Sequence, residues 1–192
     1  MKIGIITIQR ANNYGAALQC YALQRSLEAL HYEVQVIDYR QPDTEESYQP
    51  VSIPRICKES HSLMQLLKDF FLIPLRYRNA RGFNKFRNKY LNCTSPIYRK
   101  EDIPQDFDVY LLGSDQLWSV LCTGDNVEEV FWGDFKHSPR SVINGYAISG
   151  TISSLETIGR NRVKKFLENF CQLSCREKDI ATWIQNNTGY KC

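Results

Sequence analysis

Residues 2–39 read KIGIITIQRANNYGAALQCYALQRSLEALHYEVQVIDY, and three segments within them set the architecture. KIGIITI is a short, Ile-rich apolar run, the pattern of a strand buried on both faces. Asn12 or Asn13 then offers a side-chain cap to a helix over residues 14–30. On a helical wheel, Ala16, Cys20, Leu23, Leu27 and Leu30 share one face, whereas Tyr14, Leu18 and Tyr21 fall on another. Gln24, Arg25 and Glu28 give the later turns a polar side. The start of the helix should therefore be covered from two directions, as at a cleft or a domain interface. EVQVIDY is a second strand. Strand, helix and strand in so few residues predict a parallel βαβ unit with a right-handed crossover.

The alternation continues downstream. Residues 41–54 are loop-like, with Pro42, Pro50 and Pro54. A helical pattern occupies residues 61–71, breaks at Pro74 and returns through residue 91, with Phe83, Phe86 and Tyr90 on one stripe. FDVYLLG and SVINGYAIS are the third and fourth strands. Residues 155–170 read as one helix, with Val163, Phe166, Leu167 and Phe170 on one face. CQLSC is a short fifth strand, and residues 177–186 are a helix after it. NNTGYKC reads as a helix end, a Gly stop and the first residues of another strand. The sum is an α/β fold: a doubly wound, mainly parallel sheet forming a single lobe over residues 1–192, with a helical insertion at about 55–92.

Composition narrows the class. Hydrophobic residues make up 43% and charged residues 23% of 192, which is ordinary for a soluble globular chain. A net charge of +3 is too small to argue for nucleic acid. The seven cysteines are scattered with no Cys-x-x-Cys, which favours buried free thiols in a reducing compartment over zinc or disulfides. No secretory leader precedes the first strand, and no apolar run approaches a membrane span. The expectation is a cytoplasmic protein, with work at a membrane periphery as a further reading. No metal-ligand cluster is visible, so no metal is expected.

In a doubly wound sheet, ligands bind beyond the carboxyl ends of the strands. The segments there are polar: NNYGA after the first strand, GSDQLW after the third, YAISG after the fourth and SCRE after the fifth. Each has a structural reading. Gly15 suits close helix packing, Ser114 and Asp115 suit a helix start, Ser149 and Gly150 suit a turn, and Arg176 and Glu177 suit a surface pair. Gathered at one edge, they make a ligand site the better reading.

Several familiar chemistries find no support. There is no G-x-G-x-x-G and no P-loop, so Asp38 at the end of the second strand is a weak ribose ligand. His31, His61 and His137 pair with no visible nucleophile. Arg76, Arg78, Arg81, Lys85, Arg87 and Lys89 read as a solvated face over a Phe/Tyr core stripe. Contact with an anionic polymer or a membrane surface is the lesser reading of them.

The pieces NNYGAALQCYAL, GSDQLW, YAISG and LSCRE, in that order, resemble the N-terminal half of the polysaccharide pyruvyl transferase family. The resemblance implies a Rossmann-like lobe of a GT-B-type fold. It also implies transfer of a pyruvyl unit from phosphoenolpyruvate to a sugar as a ketal, with no cofactor. A second lobe would normally follow, so a chain stopping before it would self-associate, borrow that lobe from a partner, or act without catalysis. On this reading Asp115 and Arg176 are catalytic, Asp115 orienting a sugar hydroxyl or acting as general base and Arg176 clamping the donor. Asn13, Tyr14, Gly15, Gly113, Ser114, Gln116, Ser149 and Glu177 bind substrate. A GT-B nucleotide-sugar glycosyltransferase and a non-catalytic sugar-binding lobe are the alternatives. An exposed apolar patch around Leu18 and Tyr21 would favour the second.

Overall fold

The computed structural model describes residues 1–40, 63–120 and 127–192, with side chains of the helix that begins at Leu63 described from residue 70. Cys57, His61, Cys122 and the expected loop over 41–54 lie outside the described residues.

Five strands form one sheet: β1 (Lys2–Ile6), β2 (Glu33–Val36), β3 (Val109–Gly113), β4 (Val142–Ile148) and β5 (Gln172–Cys175). Every pairing is parallel, in the order β2-β1-β3-β4-β5. The chain leaves β1 toward β2 on one side and later returns to β3 on the other. The topological switch point, where such sheets bind ligands, therefore lies between β1 and β3. Helix α1 (Tyr14–Ala29) is the crossover from β1 to β2. Helix α2 (Leu63–Tyr90) lies between β2 and β3 in sequence, while α3 (Ile152–Ile158) and α4 (Arg160–Leu167) link β4 to β5, and α5 (Lys178–Thr188) follows β5.

Core sits on both faces of the sheet. Neighbouring residues Ile5 and Ile6 belong to separate apolar clusters, as the alternation of a strand requires. Ile5 packs with Cys20, Val34, Val36 and Leu91. Ile6 joins a larger cluster that contains Phe107, Tyr110, Trp118, Trp132, Phe166 and Ile184.

Four expectations are corrected. Helix α2 runs through Pro74 without a break. Proline removes one helical hydrogen bond, and here it stands in an exposed stretch of the helix. The helix expected over 155–170 is two helices, divided at Gly159, whose φ of 88° lies outside the helical range and is tolerated because the residue is glycine. Residues 189–192 form no strand; Gly189 closes α5 in the left-handed conformation. Gln24, placed by the wheel on a polar face, is buried. Its Nε2 donates to Glu28 Oε1 at 2.7 Å and its Oε1 accepts from Asn92 N at 3.0 Å.

The second covering of α1 comes from α2. Tyr14 meets Phe83 in a tilted contact at 4.9 Å between ring centroids, and Tyr21 meets Phe86 and Tyr90 edge-on, each at 5.8 Å. Tyr21 is thus partly covered, while Leu18 is exposed. The thiols also differ from expectation. Cys20 is buried, which pushes its pKa up, but Cys171 and Cys192 are exposed and Cys175 is half-buried with its sulfur 3.8 Å from that of Cys192. No helix among the described residues is long and apolar enough to cross a membrane.

Candidate active site at the carboxyl edge of the sheet

The loop after β1 is pinned from beneath. Arg87 of α2, read from sequence as part of a solvated face, is 4% exposed. Its guanidinium donates to the carbonyls of Gln9 (3.3 Å) and Arg10 (3.5 Å) and to the side-chain oxygens of Asn12 (3.2 Å) and Asn84 (2.7 Å). Gln9 Nε2 donates to Asp38 Oδ1 at 2.8 Å, and Arg40 Nη2 reaches Asp38 Oδ2 at 2.7 Å. Both Asp38 oxygens are thereby used in a buried network, which explains its place at a strand end. The loop ends on Asn13, the N-cap of α1, whose Oδ1 accepts from Gly15 N at 2.7 Å and Ala16 N at 3.4 Å.

The loop after β3 is anchored by its last residue. Trp118 stacks on Trp132 with ring centroids 4.3 Å apart and planes 4° from parallel. Its indole N–H donates to the Phe131 carbonyl at 3.1 Å. No helix starts at Ser114. The segment is instead laced to the end of β4: Ser149 N donates to the Asp115 carbonyl at 3.0 Å, and Trp118 N to the Ser149 carbonyl at 3.1 Å. Gly113 enters this loop with φ 114° across a cis peptide to Ser114, and a Cβ there would lie 2.2 Å from the Tyr146 carbonyl oxygen. No other residue type fits.

At the end of β4 the register shifts, with Ala147 at a φ of 46°. Ser149 follows and is 1% exposed. Its hydroxyl donates to Glu177 Oε1 at 2.7 Å and accepts from Arg176 Nη2 at 2.9 Å. Arg176 Nε also donates to Glu177 Oε1 at 3.1 Å. The pair is therefore more than a surface contact: a buried serine fixes both members in place.

These elements enclose a cleft of about 350 Å³ at the switch point. The β1 loop and α1 contribute Ile8, Ala11, Asn13, Gly15, Ala16 and Gln19; the β3 loop contributes Ser114, Asp115 and Gln116; Arg176 comes from the end of β5. Burial pushes the Asp115 carboxyl above its ordinary pKa, and the hydrogen bond from Gln116 N–H and the charge of Arg176 offset part of that rise.

Six of the ten site residues expected from sequence line this cleft: Asn13, Gly15, Ser114, Asp115, Gln116 and Arg176. Ser149 and Glu177 lie behind Arg176, and Gly113 is buried backbone. Tyr14 does not face the cleft. It is 74% exposed and lines a separate, largely apolar groove between α1 and α2. Helix geometry explains this, since adjacent residues point about 100° apart and Gly15 takes the cleft side. The Gly15 amide is also occupied by its own cap rather than open to a ligand.

Gln19 was missed. It lines the cleft, its Oε1 lies 3.4 Å from the Thr7 hydroxyl, and its buried Nε2 has no hydrogen-bond partner among the described residues. The available signal was spacing: Gln19 is four residues after Gly15, on the same side of the helix.

Fold and cleft together define an α/β protein with a small polar cleft at the switch point of a parallel sheet. The chain belongs to the polysaccharide pyruvyl transferase family, whose family model matches residues 13–191. That family's activity is transfer of a pyruvyl group to polysaccharide. Comparison with curated proteins and with solved structures finds no match.

Proposed function

We propose that the cleft takes phosphoenolpyruvate as donor and a sugar of a bacterial surface polysaccharide as acceptor. The observation that carries this reading is a desolvated carboxylate, Asp115, sharing one small cleft with the guanidinium of Arg176 in a chain of this family.

Ketal formation joins two sugar oxygens to the central carbon of the enolpyruvate. The methylene carbon gains a proton and becomes methyl, the bond to the phosphate oxygen breaks, and phosphate departs with the second hydroxyl proton. The donor is polyanionic. Arg176 suits it as a clamp, because a guanidinium binds carboxylate or phosphate in a forked geometry. Ser149 and Glu177 act as positioning residues that hold that fork. Asp115 accepts a hydroxyl proton; its raised pKa makes it a better base than an ordinary surface aspartate. Asn13, Ser114, Gln116 and Gln19 offer neutral hydrogen bonds to sugar hydroxyls, and the unpartnered Gln19 amide is the donor with most to gain.

The test is direct. Phosphoenolpyruvate binding is measured by calorimetry, and turnover by phosphate release and by the mass of acceptor glycans. Loss of charge-assisted bonds worth about 1.5–3 kcal/mol predicts roughly 10- to 100-fold weaker donor binding in Arg176→Ala. Unchanged affinity would remove Arg176 from the site. Release of nucleoside diphosphate from a nucleotide sugar, with no phosphate from phosphoenolpyruvate, would overturn the reading in favour of a glycosyltransferase.

A further inference from the structure

Helix α2 carries a surface that the cleft does not use. Phe70 and Phe71 are 69% and 78% exposed, and Leu75 and Tyr77 are exposed beside them. One to three turns further along, Arg78, Arg81, Lys85 and Lys89 are exposed too. At about 100° per residue, all eight fall within a sector of roughly 160°. Phe83 and Arg87, opposite the middle of that sector, and Phe86, just beyond its edge, are the ones that pack against α1 and the β1 loop. No aspartate or glutamate occurs from residue 70 to residue 100. One helix face therefore presents a large aromatic end followed by a purely cationic stretch.

We propose that this face of α2 docks the protein on an anionic lipid bilayer. Exposed paired phenylalanines are costly in water and gain by entering the boundary between headgroups and acyl chains. Tyr77, with an apolar ring and a polar tip, suits the headgroup level. The arginines and lysines behind them stay among phosphate headgroups, where each contributes attraction that salt screens. A soluble polyanion would use the cations and leave the phenylalanines in water. A second copy of the chain would bring two such cationic stretches together with no acidic residue in either to offset them. The proposal is independent of the chemistry in the cleft.

Flotation with vesicles tests it, using the purified chain with phosphatidylcholine alone and with mixed phosphatidylcholine and phosphatidylglycerol, at low and high salt. The protein should float with the mixed vesicles only, and less so at high salt. Arg78→Glu/Arg81→Glu/Lys85→Glu should lower partitioning by about 100-fold, taking roughly fivefold per cation near the surface. Phe70→Ser/Phe71→Ser should also lower it, and because all five side chains are exposed both variants should keep the wild-type circular dichroism. Equal flotation with both vesicle types, or with neither, overturns the proposal. So does a loss confined to the charge variant, which would mark general polyanion affinity. A concentration-dependent dimer in sedimentation, abolished by the phenylalanine variant without any vesicle binding, would assign the face to self-association.

Discussion

At the scale of single residues, Asp115 is where stability and function pull apart. Burial raises its folded pKa above the unfolded value, so the folded state holds the carboxyl proton more tightly. Wild-type stability therefore falls as pH rises from the ordinary carboxylate range through that raised pKa. Asp115→Asn keeps the shape and the acceptor for Gln116 N–H but cannot ionise. The variant should be more stable than wild type at neutral pH, and the difference should vanish in acid, where Asp115 is neutral in both states. Denaturant midpoints at the two pH values check this; equal stability at neutral pH would mean that the carboxylate is not desolvated. That Asp115 and Arg176 would line a cleft was legible because their types suit polar chemistry and their segments follow strands. Gln19 and Arg87 were not. A glutamine inside an amphipathic helix looks like its solvent side, and an arginine among other basic residues looks like a solvated charge. Burial separates these cases, and burial depends on partners 12 residues away for Gln19 and up to 78 residues away for Arg87.

Among the elements, α1 shows how local rules are met by unexpected residues. Its C-terminus closes with the paired bonds of a Schellman motif, from His31 N to the Glu28 carbonyl (2.9 Å) and from Tyr32 N to the Leu27 carbonyl (3.3 Å). The left-handed position belongs to His31, at φ 64°, where glycine is usual. Because the conformation strains any residue with a Cβ, His31→Gly should stabilise the protein by about 0.5–1 kcal/mol after allowing for the greater freedom of glycine in the unfolded chain. A rise in Tm of roughly 2 °C would register it; a fall would show that the imidazole makes up for the strain. The five strands of the sheet were legible because apolar runs of this length, between polar segments, have few other uses, whereas the strand expected after Gly189 had no such run. Helix α2 continues through Pro74 against the local rule, because that rule weighs the cost of one proline and not the packing of the later turns on α1.

The whole molecule depends on long-range ties that bring the strand ends into one cleft. Arg87 is one of them, joining α2 to the loop after β1. Arg87→Met would fill much of the same space but take the guanidinium from the buried carbonyl of Gln9 and the half-buried side-chain oxygen of Asn12. The expected loss is about 2–3 kcal/mol, with faster amide exchange over residues 9–13. Little change in either would show that water replaces the guanidinium. The alternation of strands and helices, and the polar segments after β1, β3, β4 and β5, were determined by the sequence alone, since they follow from local periodicity and from the short reach of turns and caps. Which residues of those segments face a common cleft was decided only by the tertiary structure. Tyr14 and Gly15 are neighbours in the chain yet belong to different grooves, while Gly15 and Arg176 share one. The reason is physical: a side chain's direction is set by helix rotation, and its burial by what packs against it, and the second of these exists only once distant segments have met.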